Sequence, residues 1–325
     1  MLDHYNIHTD LALEDKERFE SDNVEVSGVS VDEVYNEEKE IKITTVKILT
    51  ENGAKIMRKP VGTYITMEAP NMTLPDEEYQ MEIAEELGVK EIPVFAVASH
   101  DTGSAVASVP VVDKEDFIYI SSGTWSLMGV ELKEPQITPE ALEYNFTNEG
   151  GAGGKIRFLK NIMGLWMIQS VRRELNKKYS FDELCEMAKS SDFNEIIDVN
   201  NSAFLAPESM IDAIKNYCVS NNMAEPKTIG DTVRCIYHSL AKCYAHTVSG
   251  IESKLGIKFD CVNIVGGGSK DIYLNELTAK YTGKPVVAGP TEATAIGNLL
   301  VQMIASNEID DLSSGRDIIK NSFDI

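Results

Sequence analysis

Three apolar stretches of this chain each run directly into a cluster of small, hydroxyl-bearing or glycine residues. Residues 94–98 lead into Ser99, His100, Asp101 and Thr102. Residues 117–120 lead into Ser121, Ser122, Gly123 and Thr124, and residues 261–265 into Gly266, Gly267 and Gly268. Helical stretches are expected between and after them: about 160–175, a segment opened by the capping box Ser180 to Glu183, about 231–255, and one from about Leu274. Short buried strands alternating with helices predict an α/β domain with a largely buried sheet. In open α/β folds ligands bind at strand ends, so these three clusters are the expected seats of chemistry.

The first 87 residues have another texture, a small β-rich α+β segment. Val24, Val26, Val29 and Val31 surround Gly28, a turn or bulge. Ile41 and Ile43, then Val46 and Ile48, predict a half-buried strand with a register shift. Asn52-Gly53 is a turn signal, residues 62–70 read as a strand stopped by Pro70, and residues 74–87 as a helix with acids in its first turn.

Charge restricts the partners. With 30 Lys and Arg against 52 Asp and Glu, the formal charge is −22. Such a field repels phosphate backbones and anionic lipid, which argues against nucleic acid and membrane as partners. A small anionic ligand remains compatible, because backbone N–H groups bind phosphate locally. The N-terminus lacks the basic start and apolar stretch of a signal peptide, and the apolar runs are too short to span a bilayer. The expected compartment is the cytoplasm. Cys185, Cys218, Cys235, Cys243 and Cys261 show no CxxC spacing and are read as reduced thiols without a metal.

Each cluster admits a plain and a chemical reading. Asp101 stands where a helix N-cap is expected, and a fixed, ionised carboxylate there also suits a general base for a hydroxyl. The Ser121–Thr124 turn is either a hairpin or a cradle whose N–H and O–H groups converge on phosphate. Gly266 to Gly268 make a plain turn or let backbone approach a ligand closely. The segment EGGAGGKI, residues 149–156, lacks the spacing and hydroxyl of a P-loop and is read as a flexible loop.

Taken together, the strings EIPVFAVASHDTGSAVASVP, YISSGTWSLMGVE, NEGGAGGKIRFLKNIMGLWMIQ, IVGGGSKDIYLNELTA and AGPTEATAIGN resemble, in order over about residues 88–325, the C-terminal domain of the FGGY carbohydrate kinases. Within that family the likeness is to the branch that phosphorylates L-rhamnulose. The resemblance implies a ribonuclease-H-like, actin-like ATPase fold, with ATP and a ketose, L-rhamnulose, as ligands and Mg²⁺ entering with ATP. It implies Asp101 as the catalytic base, with His100, Thr102 and Asn161 at the sugar. Thr124, Gln169 and Gly267 would serve the nucleotide. Plainer roles stand beside these: Asn161 as a helix cap, Gln169 as a surface residue two turns into its helix, Trp166 as core. Asp271 departs from the Asn that relatives commonly carry after the glycines, so it is expected to face away from phosphate or to contact the base.

The strings YNIHTDLALEDKE, GVSVDE, IKITTVKILTENGAK and KPVGTYITMEAP resemble instead the start of the spore germination protease over residues 5–87. The resemblance maps that family's processing point to Asp10 and Leu11, while the aspartates thought to serve proteolysis lie beyond the likeness. Two segments follow, 1–87 and 88–325, with a chimeric join near Leu87 and Gly88. The Asp-Gly phosphate hairpin that opens a full kinase of this family is not found, so negligible turnover is expected of the chain alone. The alternatives are a non-catalytic nucleotide-binding remnant and a protease fragment. A half-cleft without its cover is also expected to promote self-association.

Overall fold

The computed structural model describes residues 26–36, 41–50, 55–58, 95, 97, 98, 100–111 and 116–323. It forms two compact units, Met1–Glu68 and Ala69–Ile325.

In the first unit, β1 (Val26–Asn36), β2 (Ile41–Thr50) and β3 (Lys55–Arg58) form an antiparallel sheet in the order β1-β2-β3. The register is regular from Val29 opposite Ile48 to Asn36 opposite Ile41. Its one irregularity falls between Val26 and Gly28, so the shift lies on β1, at the glycine, and not within β2. The expected turn at Asn52-Gly53, the strand 62–70, the helix 74–87 and the join near Leu87 and Gly88 lie outside the described residues.

The second unit runs α1 (Asp101–Ala107), β4 (Ile118–Ser122), β5 (Trp125–Leu132), α2 (Pro139–Glu143), β6 (Thr147–Gly150), β7 (Ile156–Met163), α3 (Trp166–Glu174), α4 (Phe181–Lys189), α5 (Met210–Ser220), α6 (Ile229–Leu255), β8 (Val262–Val265), α7 (Ile272–Thr282), β9 (Val286–Ala288), α8 (Ala293–Ala305) and α9 (Leu312–Ser322). Six strands form one sheet in the order β6-β7-β5-β4-β8-β9. β4, β8 and β9 are parallel, while β5, β7 and β6 continue antiparallel from β4. The class is the expected α/β one.

Strand periodicity sorts the two faces. Ile118 and Ile120 of β4 point into the large core, with Ile236, Leu240 and Tyr244 of α6 and Val262 and Ile264 of β8. Phe117 and Tyr119 point the other way and pack with Ala105 and Val106 of α1 and Ala293 of α8. With both faces covered, β8 is buried at all four positions. The 27-residue α6 starts in a capping box at Thr228 and Asp231 and stops at Gly256, which is left-handed at φ 67°. The expected capping box at Ser180 and Glu183 is present.

Three sequence expectations are corrected. The helix expected over 160–175 begins only at Trp166, because residues 156–163 are β7. Phe158, Leu159, Ile162 and Met163 are buried as adjacent pairs on either side of Lys160 and Asn161, which are not, so the apolar residues show no alternation to mark a strand. The segment 149–156 is not a flexible loop but the tight connection of the β6–β7 hairpin, closed by the Gly151 amide donating to the Lys155 carbonyl at 2.8 Å. Finally, Phe95, Val97 and Ala98 have irregular backbone rather than the strand expected at 94–98; the other residues of that stretch lie outside the described set.

What positions α1 matters most for the site. Its sequence is small and smooth, and α8 lies directly against it. Thr294 Oγ1 donates to the Asp101 carbonyl at 3.3 Å. At the other end, buried Arg316 of α9 donates to the Val106 and Ala107 carbonyls at 3.0 and 3.2 Å and to Glu131 Oε2 at 2.8 Å. The last carbonyls of a short helix thus find a cationic donor.

Candidate functional site

The three clusters of small and hydroxyl-bearing residues meet at one cavity of about 730 Å³. His100, Asp101 and Thr102 line it from α1, Ser121 to Trp125 from the β4–β5 turn, Asn161 from β7, and Gly266 and Gly267 from the turn after β8. A second cavity of about 630 Å³ adjoins it, lined by Leu165, Ile168 and Gln169 of α3, Phe181 and Cys185 of α4, and Asp271 and Tyr273. Gly123 and Gly267 line both.

The N-cap of α1 is His100, not Asp101. Asp101 is the first helical residue, with its side chain 76% exposed to the cavity side, and His100 Nδ1 lies 3.1 Å from its Oδ1. The Thr102 amide donates to Asp101 Oδ1 at 2.6 Å, and the Thr102 hydroxyl donates to the same oxygen at 3.3 Å. One carboxylate oxygen is held by local donors, and Oδ2 makes no hydrogen bond among the described residues.

The Ser121–Thr124 segment resolves into both of its readings. It is a hairpin, with Ser122 opposite Ser126, and it also lines the cavity. The Leu165 and Trp166 amides donate to the Gly123 and Thr124 carbonyls at 3.1 and 2.9 Å, so the start of α3 is tied to the turn. Gly266, at φ 87°, and Gly268 sit against Ser122, leaving no room for a Cβ at Gly268. Gly267 differs: a Cβ there would meet nothing within 4 Å. Its surroundings are open cavity.

Asn161 is neither in a loop nor a helix cap; it is an exposed β7 residue opposite Leu127 of β5. Gln169 lies in the first turn of α3, not two turns in, and is half-buried at the second cavity. Trp166 is partly buried against the core, its indole N–H donating to the Phe204 carbonyl at 3.3 Å. Asp271 caps α7: Oδ1 accepts from the Leu274 amide at 3.0 Å and Oδ2 from the Tyr237 hydroxyl at 2.8 Å. Burial pushes this carboxyl above its ordinary range, against the hydrogen bonds that pull it down. Burial likewise pushes the Cys185 thiol up to about 11, which keeps it protonated at neutral pH. All five cysteines are thiols outside any disulfide.

Charged residues at the first cavity escaped the sequence reading, among them Glu292, which lines it beside Thr291 and Thr294. Glu149 lines the first cavity, and Arg157, 1% exposed, places Nη2 3.0 Å from Glu149 Oε2. The Arg157 Nη1 and the Tyr119 hydroxyl are buried together and make no hydrogen bond of good geometry among the described residues. The available signal was an acid and an arginine flanking a glycine-rich turn, the charge pattern of a hairpin. Among the described residues, no group of three or more His, Cys, Asp or Glu side chains is arranged to hold a metal. No helix among them is long and apolar enough to cross a membrane.

Residues 118–306 match the FGGY family of carbohydrate kinases, C-terminal domain. Residues 7–101 match the germination protease family. The chain is 52% identical over 244 residues to a rhamnulokinase of Oceanobacillus iheyensis, covering 75% of this chain and 51% of that protein. It is 47% identical over 255 residues to a rhamnulokinase of Halalkalibacterium halodurans, covering 78% and 54% respectively. The chain therefore spans about half the length of the curated relatives it matches. The structure of a xylulose kinase from Lactobacillus acidophilus superposes with a TM-score of 0.53 at 13% identity, over 73% of this chain and 48% of that one. That likeness shows the fold, the actin-like α/β architecture of the sugar kinases.

Proposed function

The chain belongs to the FGGY family of carbohydrate kinases, and from that membership and the two joined cavities we propose that it carries an ATP- and ketose-binding site for phosphorylating L-rhamnulose to L-rhamnulose 1-phosphate. The observation that carries this reading is the shared wall: Gly123 and Gly267 border both cavities. A nucleotide base in the second, more apolar cavity would send its phosphates past these glycines toward Asp101. The rhamnulokinase relatives supply the choice of sugar.

In this reading Asp101 takes the proton of the sugar's primary hydroxyl as that oxygen attacks the γ-phosphorus. The bond from the γ-phosphorus to the β–γ bridging oxygen breaks, and ADP leaves with that electron pair. His100, Thr102 and Asn161 hold the sugar. Thr124 and Gly267 receive phosphate, and Gln169 contacts the nucleotide from α3. The substrate is Mg-ATP, whose cation arrives on the phosphates and needs no resident metal cage of protein side chains.

Isothermal titration of the purified chain with Mg-ATP, then with L-rhamnulose, tests this. Saturable binding of both is expected, with negligible turnover by the chain alone. The absence of Mg-ATP binding at about millimolar concentration would overturn it. Mg-ATP binding without sugar binding would instead favour a nucleotide-binding remnant.

The match of residues 7–101 supports a second reading for the N-terminal part, as a segment derived from a germination protease, and the match runs past the expected join at Leu87 and Gly88 as far as Asp101. Cleavage of small acid-soluble spore proteins by the purified chain would extend that reading to activity. Exposed Trp125 and Ile272, at the rims of the two cavities, support self-association through this face. A monomer by light scattering would exclude it.

A further inference from the structure

Glu149 has no part in the roles above, yet it borders the same cavity as Asp101 and Asn161. The register explains how it gets there. Glu149 of β6 stands opposite Arg157 of β7, and Asn161 lies four residues further along β7, on the same face by strand periodicity. Arg157 itself is withdrawn from solvent. Its Nε donates to the Gly150 carbonyl at 2.9 Å, and its Nη2 lies 3.0 Å from Glu149 Oε2. The guanidinium thus grips the strand backbone and one edge of the carboxylate together. A planar fork fixes direction in a way that a flexible lysine would not.

The other edge is available. Glu149 is 29% exposed, and its Oε1 makes no hydrogen bond among the described residues. The strand beside it is pinned as well: Asn148 accepts from the Gln136 amide at 2.9 Å and donates to the Gln136 carbonyl at 3.0 Å. A carboxylate only accepts hydrogen bonds. It repels phosphate and welcomes hydroxyl donors, so the chemistry that suits this wall is a neutral polyol. Because Arg157 balances the charge, the pair brings little net negative field toward the phosphates.

We propose that Glu149 is a specificity-determining residue that accepts a hydrogen bond from a secondary hydroxyl of the sugar, and that Arg157 is the positioning residue that aims it. The proposal rests on the sugar-kinase reading and deepens it.

The test titrates L-rhamnulose, and its epimers at the 3 and 4 positions, into the wild-type chain, Glu149→Ala and Arg157→Lys. Heat and the fluorescence of Trp125, which borders the cavity, report sugar binding. Mg-ATP titration and thermal melting run alongside. Glu149→Ala is expected to weaken L-rhamnulose about tenfold or more, the scale of one hydrogen bond to a charged acceptor. It is also expected to narrow the preference among epimers while Mg-ATP affinity stays unchanged. Arg157→Lys should move both sugar readouts in the same direction; if it fails to fold, Glu149→Ala decides alone. The proposal is overturned if Glu149→Ala binds L-rhamnulose as tightly as wild type, if its epimer preference is unchanged, or if sugar and Mg-ATP affinities fall together. A wild-type chain that binds Mg-ATP but no ketose overturns it while leaving the nucleotide site standing. Binding of neither ligand overturns the sugar-kinase reading and this proposal with it.

Discussion

Gly297 of α8 rests directly on the Ser104 carbonyl of α1, with no space between them for a methyl group. The contact matters because α1 begins with Asp101. A side chain at position 297 must push the two helices apart, and overpacking of this kind costs about 1–3 kcal/mol. Gly297→Ala is therefore expected to lower the unfolding free energy in urea by that amount. Gly267→Ala, at a glycine with open space around it, should change stability by less than about 0.5 kcal/mol. Equal midpoints for wild type and Gly297→Ala would contradict the close packing of α8 on α1.

The emptiness around Gly267 makes it a clean probe of the nucleotide. Its backbone is not in the left-handed region, and a side chain there would project into cavity rather than into protein. Gly267→Val should weaken Mg-ATP binding about tenfold or more while leaving the melting temperature in place. Asp101→Asn keeps the shape of the exposed side chain and removes its charge, so Mg-ATP affinity should persist or rise slightly. The pair separates the phosphate seat at Gly267 from the carboxylate at Asp101. Undiminished Mg-ATP binding by Gly267→Val would remove the phosphates from this turn.

Asp271 gives a prediction of opposite sign to most surface acids. Burial raises its carboxyl in the folded chain, so the protonated form is the one folding favours. Stability from this group is greatest below the unfolded pKa and is lost as pH rises through the folded one. Asp271→Asn should therefore raise the melting temperature at neutral pH. The amide oxygen can still cap Leu274, and the cost of a buried charge disappears. Thermal melts of both proteins from pH 3 to pH 8 check this, with the gap expected to widen as pH rises. A variant less stable at neutral pH would mean that the Tyr237 hydrogen bond outweighs the burial cost.

How much of this was legible depended on whether the determining contact was local. Ser180 and Glu183 announce a helix start from three residues apart, and Gly256 ends α6 by its own backbone freedom. The three clusters were legible as site-forming for a similar reason, since each is a short string, although only two of them follow a strand. β7 was not, because its buried residues come in adjacent pairs around Lys160 and Asn161 and leave no alternation to mark a strand. The Glu149–Arg157 pair was hidden by the glycine-rich run between its members, read as a loop when it is a hairpin turn. Arg316 could not be placed at all from sequence: it reaches the carbonyls of α1 from more than two hundred residues away. Contacts of that kind exist only once the sheet has formed.

The same distinction between local and tertiary contacts shapes the acid response of the fold. Glu252 of α6 is 6% exposed and accepts from Lys258 at 2.8 Å and from the Phe259 amide at 3.0 Å, with Lys284 Nζ 2.8 Å away. Burial would raise its carboxyl, but the lysines and the amide together hold it down at about 2. A folded pKa below the unfolded one contributes stability that is fully present above the ordinary carboxylate range. That stability is lost as pH falls from about 4.5 toward 2. By linkage the shift amounts to about 3 kcal/mol, reduced by what solvent screens at Lys258, which is 82% exposed. Glu252→Gln should destabilise the chain at neutral pH and flatten the fall in stability over that acid window. Urea denaturation at pH 7, 4.5 and 3 measures it. Wild type and variant losing stability in parallel below pH 4.5 would show that the cluster joining α6 to the approach of β9 does not govern the acid transition.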